Sequence, residues 1–163
     1  WNGKGAMMNE MDLYYLRWAV SVAQKARQHG NLPFGAVLVD KNGSLLLEAE
    51  STVITERDCT GHAETNLMRA ATARYSPEVL RTCTLYASTE PCPMCSGAIY
   101  WGAVGRVVFA LGEDQLREMI GPNTEHDALV LSCREVFARG QHTVTVEGPA
   151  DLPEAREVHS GFW

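Results

Sequence analysis

No apolar run in the 163-residue sequence approaches the roughly 20 residues that cross a bilayer, and its start carries no basic stretch followed by an apolar secretion core. Both absences point to a soluble, cytoplasmic protein. Cysteines are few: five, an odd number, without framework-like spacing, which excludes a secreted disulfide scaffold and favours thiols kept reduced. Basic charge is short as well. Against 20 Asp and Glu stand 14 Lys and Arg, a formal net charge of -6, and there is no basic stripe of the kind that grips long nucleic acid by releasing counterions. Repeats, low-complexity tracts and dividing linkers are also missing. What is present is a 45% hydrophobic content, enough for a substantial core at this length. The expected organisation is an aperiodic leader over residues 1–9 and one domain over residues 10–163.

Periodicity then assigns the elements. Leu13, Leu16, Ala19 or Val20, Ala23 and Ala26 recur at helical spacing, and Gly30 follows, so residues 10–29 predict a helix. "PFGAVLVD", "KNG" and "SLLLEAES" read as strand, tight turn and returning strand, a hairpin over residues 34–51. "GHAETNLMRAATARY" predicts a second helix, with Pro77 beyond its end. "TCTLYAS", "PMCSGAIYWG" and "RVVFAL" form a strand, helix, strand unit whose two strands should lie parallel. Residues 112–140 mix loop and helix signals, "HTVTVEG" alternates as a fifth strand, and residues 151–163 read as a short helix ending in two aromatics. The fold class expected from this order is a three-layer α/β/α sandwich with a mixed five-stranded sheet.

The stretch "STEPCPMCSGA" carries the chemistry. Cys92 and Cys95 are three apart where a strand gives way to a helix, with Pro93 suited to the first turn; both sulfurs can face one ion, and the helix N-terminus favours thiolate. A redox pair is one rival. It expects a thioredoxin-like context, which the two prolines and the upstream "GHAET" do not provide. His62, at the start of the second helix, can bring an imidazole to the same crevice, and one imidazole with two thiolates suits zinc with an open fourth position. The second rival is a structural zinc knot with Cys59 as fourth ligand. Cys83 and Cys133 read as core or loop thiols rather than ligands.

His62-Ala63-Glu64 followed by Pro91-Cys92-Pro93-Met94-Cys95 is the H-x-E and P-C-x-x-C pattern of zinc deaminases. With "PFGAVLV" and "EPCPMCSGAIYW", the chain resembles the cytidine deaminase-like superfamily, most of all the branch of guanine deaminases, plant guanosine deaminases and bacterial tRNA adenosine deaminases. The likeness is strong over about residues 12–110 and weak thereafter. It implies a zinc-dependent aminohydrolase with Zn²⁺ on His62, Cys92 and Cys95. It also implies Glu64 as the catalytic residue that takes the proton of the attacking water and hands it to the ring nitrogen and then to ammonia. Two thiolates cancel the charge of the ion, which is why a carboxylate base is needed.

For substrate contacts the resemblance points to Phe34, Ser51, Ala63, Trp101 and Trp163. Ser51 and Thr52 stand where relatives carry an asparagine that reads a purine, and a hydroxyl cannot offer the two-point edge of an amide. The tail "EVHSGFW" is expected to cover the site through Phe162 or Trp163, with His159 or His126 touching substrate. The expected activity is deamination of a small nucleobase or nucleoside, first a purine such as guanine, by a homodimer that does not bind nucleic acid. The alternatives are a tRNA wobble-adenosine deaminase, a deaminase of cytosine, pterin or triazine rings, and a non-catalytic zinc module.

Overall fold

A computed structural model describes residues 8–122 and 126–163. Helix α1 spans Glu10–Gln28. Its start is fixed by a reciprocal cap in which Asn9 Oδ1 accepts from Asp12 N at 2.9 Å and Asp12 Oδ2 accepts from Asn9 N at 3.1 Å. Asn9 therefore belongs to the fold, and Met8 packs against the α1 core. This corrects the leader's expected end at residue 9; residues 1–7 lie outside the described residues.

Strands β1 (Gly35–Val39) and β2 (Leu45–Glu50) form the expected hairpin. Short α2 (Val53–Glu56) and then α3 (Ala63–Arg74) and α4 (Pro77–Leu80) lead to β3 (Thr84–Thr89). Helix α5 (Pro93–Trp101) crosses to β4 (Arg106–Leu111), and α6 (Glu113–Ile120), α7 (Cys133–Ala138), β5 (Thr145–Glu147) and α8 (Pro153–Glu157) complete the order. The sheet runs β2-β1-β3-β4-β5. Strand β1 pairs antiparallel with both neighbours, while β3, β4 and β5 are parallel.

Alternation along the central strands builds the three layers. Ala36, Leu38, Leu85, Ala87, Val107 and Phe109 face α3, α5 and α7, together with Cys83 and Cys133, both core thiols as expected. Val37, Val39, Tyr86, Val108 and Ala110 face α1, α8 and Leu116 of α6. The α1 layer lies close: a Cβ at Gly35 would strike the Ala19 carbonyl and the Ala23 amide. Among the described residues no helix is long and apolar enough to cross a membrane.

Two expectations shift. The fifth strand is only three residues long, because His142 stacks on Tyr100 with centroids 4.0 Å apart and the Gln141 amide donates to the Tyr100 hydroxyl, holding that segment off the sheet. The tail helix stops at Glu157. Beyond it the Arg27 guanidinium donates to the carbonyls of Val158 and Ser160 and lies over the Phe162 ring, so the tail is bound to the last turn of α1.

Beneath the sheet a buried charge network locks α1 to β3 and β4. Asp12, 1% exposed, accepts two bonds of 2.9 Å from Arg106 and one of 2.7 Å from the Tyr86 hydroxyl. Burial alone would raise the Asp12 carboxyl, but the bonds from Arg106 and Tyr86 outweigh it and hold the group below its ordinary value. That stabilisation is complete above the ordinary carboxylate value and is lost as pH falls through the lower folded-state value. Asp12→Ala removes this partner from Arg106 and Tyr86 while Arg106 keeps Glu147 at 3.0 Å, and should cost about 1 to 3 kcal/mol in urea unfolding at neutral pH. A loss below about 1 kcal/mol, in the range of an exposed pair, would show that the network does not lock α1.

Candidate active site

Two helices begin with residues that rarely serve as caps. His62 is the N-cap of α3 and Cys92 the N-cap of α5, each with extended backbone and neither using its side chain to accept a backbone N–H. Ser, Thr, Asp or Asn in such a place would contribute about 1 kcal/mol by doing so. Here both side chains turn toward each other. Because α3 and α5 pack side by side on one face of the sheet, His62 Nδ1 comes to lie 3.6 Å from Cys92 Sγ and 3.5 Å from Cys95 Sγ. Asn66 fixes the approach to His62: its Nδ2 donates to the Glu50 and Gly61 carbonyls and to Thr52 Oγ1. On the other side the Ser96 hydroxyl donates to the Pro91 carbonyl at 3.3 Å, fixing the turn before Cys92.

The three donor atoms lie within 4.8 Å of one another. A tetrahedron with Zn–S of about 2.3 Å and Zn–N of about 2.1 Å has mixed edges of about 3.6 Å, so the two imidazole–sulfur distances fit zinc. Of the three donors, Cys92 is the one already held in its ligating thiolate form. The Cys92 thiol is lowered to about 4, chiefly by the hydrogen bond from Cys95, whose own thiol is raised by that contact and by burial. The bond to Cys92 raises the His62 imidazole. Cys59 is exposed and does not join the group, and among the described residues no fourth protein donor does.

A cleft of about 410 Å³ opens beside the three donors. Glu64, the second residue of α3, lines it at 5% exposure without joining the donor group, and burial raises its carboxyl above the ordinary value. Leu32, Phe34 and Leu116 give apolar walls, and Thr89, Glu90 and Glu113 polar ones. Glu90 is fully engaged: Oε1 accepts from the Glu113 amide at 3.2 Å and Oε2 from the Cys133 amide at 3.0 Å, joining the first residues of α6 and α7 to the end of β3.

The expected substrate contacts divide. Phe34 and His126 line the cleft. Trp163 packs behind them, 6.2 Å from the Phe34 ring and 4.8 Å from His126, and donates from Nε1 to His159 Nδ1 at 3.2 Å. Phe162 lies on Arg27, and His159, 2% exposed, is not among the lining residues. Three expectations are corrected. Ala63 is wholly buried in the core under α3, and Ser51 is buried at 1% exposure beside the hairpin, outside the lining. Trp101 is 85% exposed on the outer side of α5 and does not wall the cleft of its own chain, because the inner side of that helix is taken by Cys95 and Ile99. Thr89, Glu90 and Glu113 were not foreseen. The first two adjoin the cysteine motif and could have been suspected; Glu113 has no signal in sequence, since it reaches the cleft only through the pairing of β3 with β4.

A mixed-sheet α/β sandwich with an imidazole and two sulfurs at the ends of adjacent helices is the architecture of a zinc-dependent hydrolase. Residues 9–111 match the family described as the cytidine and deoxycytidylate deaminase zinc-binding region. The chain belongs to that family, and is a hydrolytic deaminase with a zinc-binding domain. Over 156 residues it is 39% identical to a probable cytosine deaminase of Schizosaccharomyces pombe, covering 96% of this chain and 94% of that one. A tRNA-specific adenosine deaminase of Haemophilus influenzae is 36% identical over 105 residues, 64% of this chain and 61% of that protein's length. The crystal structure of guanine deaminase from Bacillus subtilis superposes with a TM-score of 0.60 at 38% identity, covering 69% of this chain and 70% of that one.

Metal analysis of dialysed variants checks the donor set. Cys92→Ser should fall from about one zinc per chain to near none, whereas Cys59→Ser should keep its zinc and its melting temperature. Loss of zinc in the Cys59 variant would restore the structural-knot reading.

Proposed function

We propose that the protein hydrolytically deaminates a small, uncharged nucleobase or nucleoside, with His62, Cys92 and Cys95 holding zinc and Glu64 moving the proton. The observation that carries this reading is the buried Glu64 carboxyl, set in the wall of the same cleft as His62 and Cys92 yet outside the donor group. Zinc held there would supply a Lewis acid that polarises a water molecule.

The remaining work falls to the chain. Burial raises the Glu64 carboxyl, which narrows the gap between its proton affinity and that of the groups it serves. It accepts a proton from the attacking water and passes it to the ring nitrogen next to the carbon under attack, then takes the remaining proton from the hydroxyl now on that carbon and delivers it to the leaving amine as the carbonyl forms. Water supplies the oxygen, the C–N bond breaks, and ammonia and a keto ring are the products. Phe34 offers a face on which a flat ring can stack, and Leu32 and Leu116 keep bulk water from the reacting atoms.

Size and charge narrow the substrate. The cleft volume is in the range of small-molecule sites. Among the described lining residues are Glu64, Glu90, Glu113 and Asp127 and no lysine or arginine, so a phosphate would enter against like charge. With the net charge of -6, this favours a free base or nucleoside over tRNA. Purines and pyrimidines both belong to that class. A cytoplasmic homodimer is part of the same proposal, with the exposed Trp101 and Met94 on α5 offering apolar surface.

Two measurements test the proposal. Glu64→Ala should lower kcat by about 10²-fold or more while zinc stays at about one per chain; activity retained in that variant would remove Glu64 from the mechanism. Titration with tRNA should give weak binding, and an affinity that falls steeply with added salt would favour the tRNA reading instead.

A further inference from the structure

Two buried hydroxyls, Ser51 Oγ and Thr89 Oγ1, have no partner among the described residues, and of these only Thr89 belongs to the cleft lining. Ser88 Oγ accepts from the Gly35 amide at 3.0 Å, Ser96 Oγ donates to the Pro91 carbonyl, and Thr65 Oγ1 donates to the His62 carbonyl. Thr89, between Ser88 and Glu90, is 3% exposed and lines the cleft, and its Oγ1 finds no partner among the described residues. An unpaired buried hydroxyl is costly, so a ligand group that meets it contributes more than an exposed one would.

Glu113 stands next to it. Thr89 pairs with Leu111 across β3 and β4, Glu113 follows Leu111 by two residues, and Glu90, adjacent to Thr89, accepts from the Glu113 amide. Both oxygens of Glu90 are taken by backbone amides, but the Glu113 side chain is half-buried in the cleft wall and forms no ion pair among the described residues. Burial pushes its carboxyl up to about 7, with Arg117 opposing and Glu90 adding. A carboxyl held there is an acceptor waiting for an N–H.

We propose, resting on the deaminase reading above, that Thr89 and Glu113 are a specificity-determining pair that selects rings carrying an N–H beside a carbonyl. The Glu113 carboxylate accepts from the ring N–H, and the Thr89 hydroxyl donates to the neighbouring carbonyl oxygen. Cytosine and guanine both present this edge; adenine does not. The pair makes no bond to the atoms under attack, so its loss weakens binding and orientation while the proton transfer by Glu64 persists.

The test is ammonia release from cytosine, guanine, adenine, 1-methylcytosine and 1-methylguanine by the zinc-loaded full chain, as wild type, Glu113→Gln and Thr89→Val. Wild type should prefer cytosine or guanine to its own N1-methyl derivative by about 100-fold or more in kcat/KM, because the methyl leaves a buried acceptor unpaired. Each variant, with zinc content and circular dichroism unchanged, should lose about 10- to 100-fold on the parent ring, mostly through KM. For Glu113→Gln the methyl penalty should shrink as well. Equal wild-type rates on parent and methylated rings, activity confined to adenine, or variants with unchanged KM and an intact methyl penalty would each overturn the pair. The wild-type comparison holds even if a variant fails to fold. Ammonia from none of these rings would instead overturn the deaminase reading, and the pair with it.

Discussion

The structure depends on two helix N-termini whose capping positions are given over to metal donors. His62 and Cys92 start α3 and α5 in the backbone conformation of an ordinary cap, but each leaves the first-turn amides unserved by its side chain and spends that side chain on the other helix's donor. The arrangement costs local helix stability, and it is tolerated because the apolar faces of α3 and α5 are buried against the same sheet. In return, the partial positive charge at the helix ends lies where thiolate character must be stabilised, and Cys92 is the sulfur that carries it.

Around that point the cleft is built from the ends of several elements, each tied by a polar contact to its neighbour. Asn66 binds the loop of His62 to the end of β2, and Glu90 binds the starts of α6 and α7 to the end of β3. On the far side of the sheet the Asp12, Arg106 and Tyr86 network fixes α1 under β3 and β4. Rigid strand ends thus hold groups from distant parts of the chain in one wall, which is what a proton relay beside a metal requires. Acidic side chains, Glu64, Glu90, Glu113 and Asp127, recur along that wall.

The legible part of the molecule is the part with strong local signals. The spacing of Leu13, Leu16, Ala19 and Ala23, the "KNG" turn and the strand, helix, strand unit all appear where periodicity put them. The three donors also come together, because P-C-x-x-C and H-x-E are short, rigid patterns at helix starts. Where signals were weak or long-range contacts competed, the expectations failed. The fifth strand is shortened by the stack of His142 on Tyr100, and the tail helix ends early where Arg27 takes its carbonyls.

Composition and pattern by themselves determined the class of fold, the hairpin, the parallel strand pair and the identity of the donors, since these follow from burial periodicity and from side-chain chemistry at fixed local spacing. Only the tertiary structure decided which residues share the cleft. Trp101 and Ser51 were expected in it but lie outside its lining, while Thr89 and Glu113, unremarkable in sequence, both line it because β3 and β4 end side by side. The reason is geometric: local sequence sets the direction of a side chain relative to its own element, but the packing of elements sets what that direction points at.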